Sequence, residues 1–193
     1  AASPCARGDD VGTASRPRIM ANRWQEDWSA LAAPATPIEP LDVLKYIPLS
    51  HDAPDDYVSL GATLRERYEV WNAQGFGTAH VADDSYLLDR VQVHADVRFD
   101  THWQFFTQLE DVRTVDKRLI GPADRNPLDV RLAFLLYQAH VDDGVVKARV
   151  GRQDFLFGVQ RFVSSRDGPN VRQSFGAAWA DWEIGPWRLI GFV

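Results

Sequence analysis

The chain has 193 residues and a formal net charge of −6, which argues against a general nucleic-acid-binding protein because such proteins are usually basic. It contains no run of about 18 or more apolar residues, and the sequence therefore predicts no transmembrane helix. Its single cysteine, Cys5, excludes an internal disulfide and is expected to be a free thiol in an unstructured tail.

The N-terminal region has the composition of an arm rather than of a sheet. Residues 1–21 mix Gly, Ser, Pro, Ala and Arg without periodicity, which is typical of disorder. In residues 22–31 two Trp and one Leu have helical spacing, which predicts one or two amphipathic turns. Five prolines between Pro34 and Pro54 then exclude a long helix or a central strand. We interpret the arm either as a plain extended segment or as a periplasmic lead-in or plug that packs through its Trp residues.

Seven later segments alternate apolar and polar residues with period two, which predicts β-strands. The seven segments are residues 57–71, 86–99, 103–109, 128–141, 145–153, a segment that begins near residue 174, and one from residue 187 to the end. In the first segment Glu66 interrupts an otherwise apolar face. The fourth segment is more apolar overall, and its facing is left open. In the fifth, Arg152 falls on the apolar parity and its facing is also left open.

The links between these segments alternate strictly between long and short. The long links are residues 72–85, 111–127 and 158–173, and the short links are residues 100–101, 142–144 and 185–186. This alternation is typical of an up-and-down meander, and outer-membrane barrels have short periplasmic turns and long extracellular loops. Tyr57, Phe99, Trp103 and Trp187 lie at the end with the short links, where we expect an aromatic girdle. Because such barrels have an even number of strands, seven strands predict part of a larger barrel.

Basic residues recur on the predicted polar strand faces although the chain is acidic overall. We predict that a pore is lined by Arg65, Arg67, Arg90, Arg98, Lys147 and Arg149, together with Glu69, Asp96 and Glu110. An inward ring of Arg and Lys makes an electropositive constriction, as in anion pores, and the planar guanidinium group binds a carboxylate bidentately. The acidic members are expected to pair with the arginines and to fix their side chains. The alternative is a set of structural ion pairs with no part in selectivity.

Three groups of segments also resemble one known protein family. They are GRQDFLFG followed by SSRDGPNVRQSF, NRWQEDWSAL followed by PLDVLKYIPL, and VSLGATLRERYEVWNAQGFG followed by YLLDRVQVHADVRF. In this order they resemble the alginate export family of bacterial outer-membrane β-barrel proteins. The resemblance covers most of the chain from residue 22 onward.

The resemblance implies a fold, a location and a role. The fold is all-β, an antiparallel up-and-down transmembrane β-barrel of which about seven strands are present. Residues 1–56 would be a disordered, Pro-rich periplasmic arm, and residues 57–193 the N-terminal part of the barrel. The protein would lie in the lipid of the bacterial outer membrane as a passive pore for an anionic, alginate-like polyuronate. No nucleic-acid partner is expected, and the sequence does not specify periplasmic secretion partners.

Two other functions stay open at this point. The first, within the same class, is a small-anion or general porin. The second is a soluble β-barrel ligand-binding module, similar to a lipocalin, which would need apolar residues inside and polar residues outside.

Patterns for catalysis or metal binding are weak. The five His residues have no helical zinc spacing, and Ser164 with Ser165 lacks the nucleophile-elbow pattern. The acidic stretch of residues 111–129 is interpreted as a solvated loop, with a calcium site as the alternative. We therefore predict no enzyme, no catalytic residue, no metal ligand and no cofactor.

Overall fold

The computed structural model describes residues 16–73, 76–78, 82–155 and 163–193, and its strands form one antiparallel sheet. Its eight strands are β1 (Ile47–Pro48), β2 (Tyr57–Trp71), β3 (Asp84–Phe99), β4 (Trp103–Val115), β5 (Asn126–Val141), β6 (Gly144–Gln153), β7 (Phe175–Ile184) and β8 (Trp187–Phe192). Each strand pairs with its neighbours in sequence, as an up-and-down meander. The sheet is not closed, and β1 and β8 form its two edges.

All seven predicted strands are present, with two differences. The predicted third strand ended at Leu109, whereas β4 continues to Val115. The apolar pattern breaks there because two outer positions are charged, and the structure pairs them, with Arg113 Nε 2.6 Å from an Asp111 carboxylate oxygen. The sequence did not predict β1, whose Pro48 is tolerated because this short strand lies at the edge of the sheet.

In a soluble sheet the buried face is apolar and the exposed face is polar. In this sheet the two are reversed. The inner face, defined by Ser59, Arg90, Asp96 and Glu110, is buried and mostly polar. The outer face carries exposed apolar side chains on every long strand from β2 to β6. They include Leu60, Leu64, Val91, Val93, Phe105, Leu109, Leu135 and Val150. The alternation of side chains along each strand produces this separation, as the sequence predicts for β2, β3, β4 and β6.

Strand β5 is an exception, because part of its inner face is apolar. Leu132, Phe134 and Leu136 point inward and form a buried cluster with Phe106 of β4. The pairing of β4 with β5 shifts register next to this cluster, which places Arg131 as an extra residue in β5. Such a bulge re-aims the side chain, and Arg131 is therefore buried beside Leu132 although the two are adjacent in sequence.

Of the four aromatic residues expected to form a girdle at the short-turn end, three are exposed and Tyr57 is not. Phe99, Trp103 and Trp187 are exposed at the strand ends beside the short turns. Tyr57 instead lies on the inner face and is 1% exposed. Its hydroxyl donates to Asp27 and accepts the Trp28 N–H, so its position follows from its parity in β2 and from its partners in the arm.

The arm packs on the inner face at the short-turn end. It contains two 3-10 turns, Arg23–Gln25 and Ser29–Ala32, and a single helical turn, α1 (Asp42–Lys45). Trp28 is fully buried, and the Trp24 ring packs edge-on against Phe134. The predictions of disorder for residues 1–15 and of a free Cys5 thiol fall outside the described residues, whereas residues 16–56, also expected to be disordered, contain the two 3-10 turns, α1 and β1.

Candidate functional site

Three arginines of the inner face are held by the backbone of one loop segment, residues 167–170. Arg65 and Arg67 donate through Nη1 to the first two carbonyl oxygens of the segment, at 2.9 and 2.8 Å. Arg90 donates to the last two carbonyl oxygens, both at 2.7 Å. We term these three arginines and residues 167–170 the loop cluster. Neutral carbonyl groups accept these hydrogen bonds, and two carboxylates, Glu69 and Asp167, lie close enough to the three arginines to compensate part of their positive charge.

The one carboxylate in the loop cluster lies among several arginines. Asp167 Oδ1 is 3.1 Å from Arg90 Nη1, 3.4 Å from Arg172 Nε and 3.8 Å from Arg65 Nη1. Burial by itself raises the pKa of Asp167, but the hydrogen bond from Arg90 and the charges of the arginines outweigh it and hold that pKa below its usual range. The Asp167 side chain is 70% exposed, so these arginines bind a carboxylate that also remains in contact with solvent.

The loop segment is fixed to the sheet by Asn170. Its amide Nδ2 donates to the carbonyl oxygens of Asp89 at 3.2 Å, Arg113 at 2.9 Å and Asp124 at 3.2 Å. These acceptors belong to β3, β4 and the link before β5. A buried amide with these partners positions the whole segment, and the carbonyl row of residues 167–170 is therefore held over the arginines.

A buried ion network occupies the middle of the inner face. Arg131 Nη1 donates to Gln108 at 2.6 Å, Nη2 donates to Asp154, and Nε is 3.6 Å from Glu110. Glu110 also accepts a hydrogen bond from Gln92. Arg131 and Glu110 are each 2% exposed, and this burial marks the network as structural rather than open to a solute.

At the short-turn end the arm covers Arg98. Arg98 Nη2 donates to the carbonyl oxygen of Glu26 at 2.6 Å, and Arg98 Nε lies 3.2 Å from Asp96. Gln104 Nε2 donates both to Asp96 and to the carbonyl oxygen of Trp24, each at 2.8 Å. The predicted pairing of Asp96 with an arginine is therefore present, and the same group anchors the arm.

Arg149 is enclosed by aromatic rings. Its Cζ lies 4.6 Å from the Trp24 ring centroid, 5.0 Å from that of Phe134 and 5.3 Å from that of Trp179. Its Nε donates to the Gln153 side chain, and its Nη2 donates to the carbonyl oxygen of Asp154 at 3.1 Å. Cation–π contacts of this kind stabilise a partly desolvated guanidinium group. Arg149 is 7% exposed, so these rings, with Trp24 among them, shield it from solvent.

A cavity of about 700 Å³ lies between the arm and the inner face at this end. Lys147 lines it and forms no hydrogen bond or ion pair with the part of the chain that the structure describes. Arg188 also lines it, but its guanidinium group binds Asp181 at 2.7 Å and Glu183 at 3.2 Å. Lys147 is therefore the cation of this cavity that is free to attract an anion.

The acidic link before β5 is held by internal contacts. Asp124 accepts hydrogen bonds from Lys117 at 2.5 Å and from the Gly121 N–H at 2.8 Å. Within the described ranges, no group of three or more His, Cys, Asp or Glu side chains is placed to hold a metal ion.

Comparison with known proteins identifies the family of the chain. Residues 56–193 match the family described as "Alginate export". The chain belongs to the alginate export family. No curated protein and no solved structure matches the chain. Members of this family are transport porins rather than enzymes, and membership implies the outer membrane and suggests a role in polysaccharide export. No helix among the described residues is long and apolar enough to cross a membrane.

In this alginate export family member, the nine predicted pore residues all lie on the inner face but do not form one ring. Arg65, Arg67 and Arg90 join the loop cluster, and Glu69 pairs with Arg67 at 2.6 Å. Arg98, Asp96, Lys147 and Arg149 lie at the short-turn end, while Glu110 belongs to the buried ion network.

Sequence reasoning missed three features of the site. Arg131 has outer-face parity, and only the bulge in β5 turns it inward. Arg152 proves to be on the outer face, where it pairs with Asp129 at 2.7 Å. The carbonyl row of residues 167–170 leaves no signal in the sequence beyond a Gly-Pro-Asn loop, because backbone acceptors are common to all residue types.

Proposed function

We propose that this chain forms part of a pore that passes an anionic polysaccharide, an alginate-like polyuronate, across the bacterial outer membrane. The observation that carries the proposal is the reversed polarity of the sheet, with exposed apolar side chains outside and buried charged side chains inside. Lipid would cover the outer face, and the inner face would line a water-filled lumen. The pore would be passive and would need no cofactor.

A transmembrane barrel requires that the sheet be closed in the membrane. Strands β1 and β8 have one unpaired edge each in the described sheet. In hydrocarbon every backbone N–H and C=O group needs a partner, so an open edge is not tolerated there. The proposal therefore includes further pairing at both edges.

The chemistry of the inner face favours an anion that carries carboxylates. The loop cluster already holds the Asp167 carboxylate among arginines, and a polyuronate carries one carboxylate on each sugar. Weak and exchangeable sites along a path allow such a chain to pass without being trapped. Lys147 offers a second site, separated from the loop cluster along the strands.

A small-anion or general porin remains the alternative within the same class, since arginines attract any anion. The reversed polarity of the two faces argues against a soluble ligand-binding barrel. The protein should need detergent to stay in solution after extraction. Full solubility of the folded protein in buffer alone would favour the soluble module.

Charge selectivity tests the pore proposal. We expect the double change Arg65→Glu and Lys147→Glu to shift the selectivity of the full-length protein from anions toward cations. Each change alters the local charge by two, and charges in a narrow lumen are screened less than charges on an open surface. Reversal potentials in a salt gradient across planar bilayers measure the shift.

The matched control for this experiment is Arg125→Glu, which changes an exposed arginine in the link before β5. We expect it to leave the reversal potential close to that of the unaltered protein. A folded double variant that keeps full anion selectivity would show that Arg65 and Lys147 are not part of the filter.

The lengths of the links predict the orientation in the membrane. The link between β4 and β5 should face the outside of the cell, and the turn between β5 and β6 should face the periplasm. An epitope tag inserted after Leu119, which is exposed, should be labelled on intact cells. The same tag between Asp142 and Asp143 should be labelled only after the cells are opened. The reverse pattern would invert the proposed orientation.

A further inference from the structure

The arm, residues 16–46, is held against the inner face of the sheet by several hydrogen bonds and by a buried Trp side chain. Trp28 is 1% exposed, and its indole N–H donates to Glu26 at 2.9 Å. The backbone N–H of Trp28 donates to the Tyr57 hydroxyl at 3.0 Å. Two buried groups of the sheet, Tyr57 and Gln104, and the partly buried Arg98 therefore hydrogen-bond to the arm. Buried polar groups with these partners fix one position for the segment.

The sheet also contacts the C-terminal end of the arm, at Gly61 of β2. Lys45 Nζ is buried, lies 5.5 Å from the Trp28 ring centroid and contacts β2 at Gly61. A Cβ atom at Gly61 would collide with Lys45 Nζ and would lie 2.6 Å from Cε1 of His94. A glycine inside a strand often marks the close approach of another group. Here that group is the Lys45 side chain.

A charge contact within the arm links its two ends. Asp42 is buried, pairs with Arg16 and accepts the backbone N–H of Glu39 at 2.7 Å. Burial by itself raises the pKa of Asp42, but these hydrogen bonds outweigh it, and the pKa lies below its usual range. The arm is thus internally braced, and we treat it as one unit.

The position of the arm has a consequence for the pore. It covers Arg98 with two carbonyl oxygens and Arg149 with the Trp24 ring. It leaves Lys147 as the free cation at the edge of the cavity, within the described part of the chain. Arg98 and Arg149 at the short-turn end are therefore shielded from a solute in the pore.

We propose that the arm is a resident insert in the short-turn mouth of the pore, which narrows the mouth and determines its charge selectivity. This inference rests on the proposed function, since it assigns a part of that pore. With the insert in place, Lys147 sets the charge of the mouth. Without it, Arg98 and Arg149 would also face the solute.

The direct experiment removes residues 16–46 from the full-length protein and compares single channels in planar bilayers with those of the unaltered protein. We expect a larger conductance and a reversal potential shifted further toward anion selectivity, because the mouth is wider and two more arginines are exposed. Unchanged conductance and selectivity would overturn the proposal. If the unaltered protein forms no channel at all, the proposed function fails, which is a different result.

A point variant tests the same idea without removing the segment. Gly61→Val should displace Lys45 and unseat the arm, giving trypsin access to Lys45 and raising the conductance. The matched control is Gly176→Val in β7, where a Cβ atom would meet nothing within 4 Å. We expect the control to keep the original conductance and to resist trypsin at Lys45. Original conductance in Gly61→Val channels that trypsin cuts at Lys45 would overturn the proposal.

Discussion

Replacing Leu64 with Arg is expected to prevent stable insertion of the protein into membranes. Leu64 is the middle residue of β2, points to the outer face and is 63% exposed. If lipid covers this face, the new charge lies near the centre of the bilayer, where Arg costs about 2–4 kcal/mol in a barrel. The loss would be read as the fraction of heat-modifiable, folded protein on gels after refolding into liposomes.

The control for this change is the adjacent residue of the same strand. Thr63 faces the inner side, pairs with Gln92 and is exposed to the interior. Thr63→Arg should fold at nearly the original yield, because an exposed substitution outside a packed core usually changes stability by about 0.5 kcal/mol or less. Equal damage from both variants would contradict the assignment of the outer face to lipid.

The second large effect is expected at the buried ion network. Arg131→Ala removes the cation that Asp154 and Glu110 share and leaves two buried carboxylates without it. Breaking a buried pair from one side costs about 3–5 kcal/mol, because the remaining charge stays buried with less compensation; here Asp154 keeps Arg172 at 3.8 Å and Glu110 keeps the hydrogen bond from Gln92. We expect a large decrease in the urea midpoint of the refolded protein in detergent micelles.

Arg152 provides the matched comparison for Arg131. It also makes an ion pair, with Asp129 at 2.7 Å, but its side chain is 46% exposed. Arg152→Ala should therefore cost only about 0–1 kcal/mol, the usual range for surface ion pairs. An equally small loss of stability in both variants would mean that water reaches Arg131 and that the network is not buried within the protein.

The existence of β2 to β8 and the polarity of the two faces of β2, β3, β4 and β6 follow from the sequence alone. Alternation with period two specifies β2 and β3 residue by residue, because each side chain in a strand points opposite to its neighbours. The alternation of long and short links predicts the meander, since consecutive antiparallel strands turn at opposite ends. The placement of all nine predicted pore residues on the inner face follows from the same rule.

Only the tertiary structure decides which arginines point inward against the sequence pattern, and which inner-face arginines are covered by other parts of the chain. Arg131 is turned inward by a bulge, which changes the parity of β5 and has no reliable signal in the sequence. Arg90 is held by carbonyl oxygens of residues 167–170, and Arg149 is covered by Trp24 from far along the chain. Alternation fixes the side of a strand to which a residue points, because that depends on local backbone geometry. Whether a distant segment covers that residue depends on contacts across the whole fold, which local periodicity does not contain.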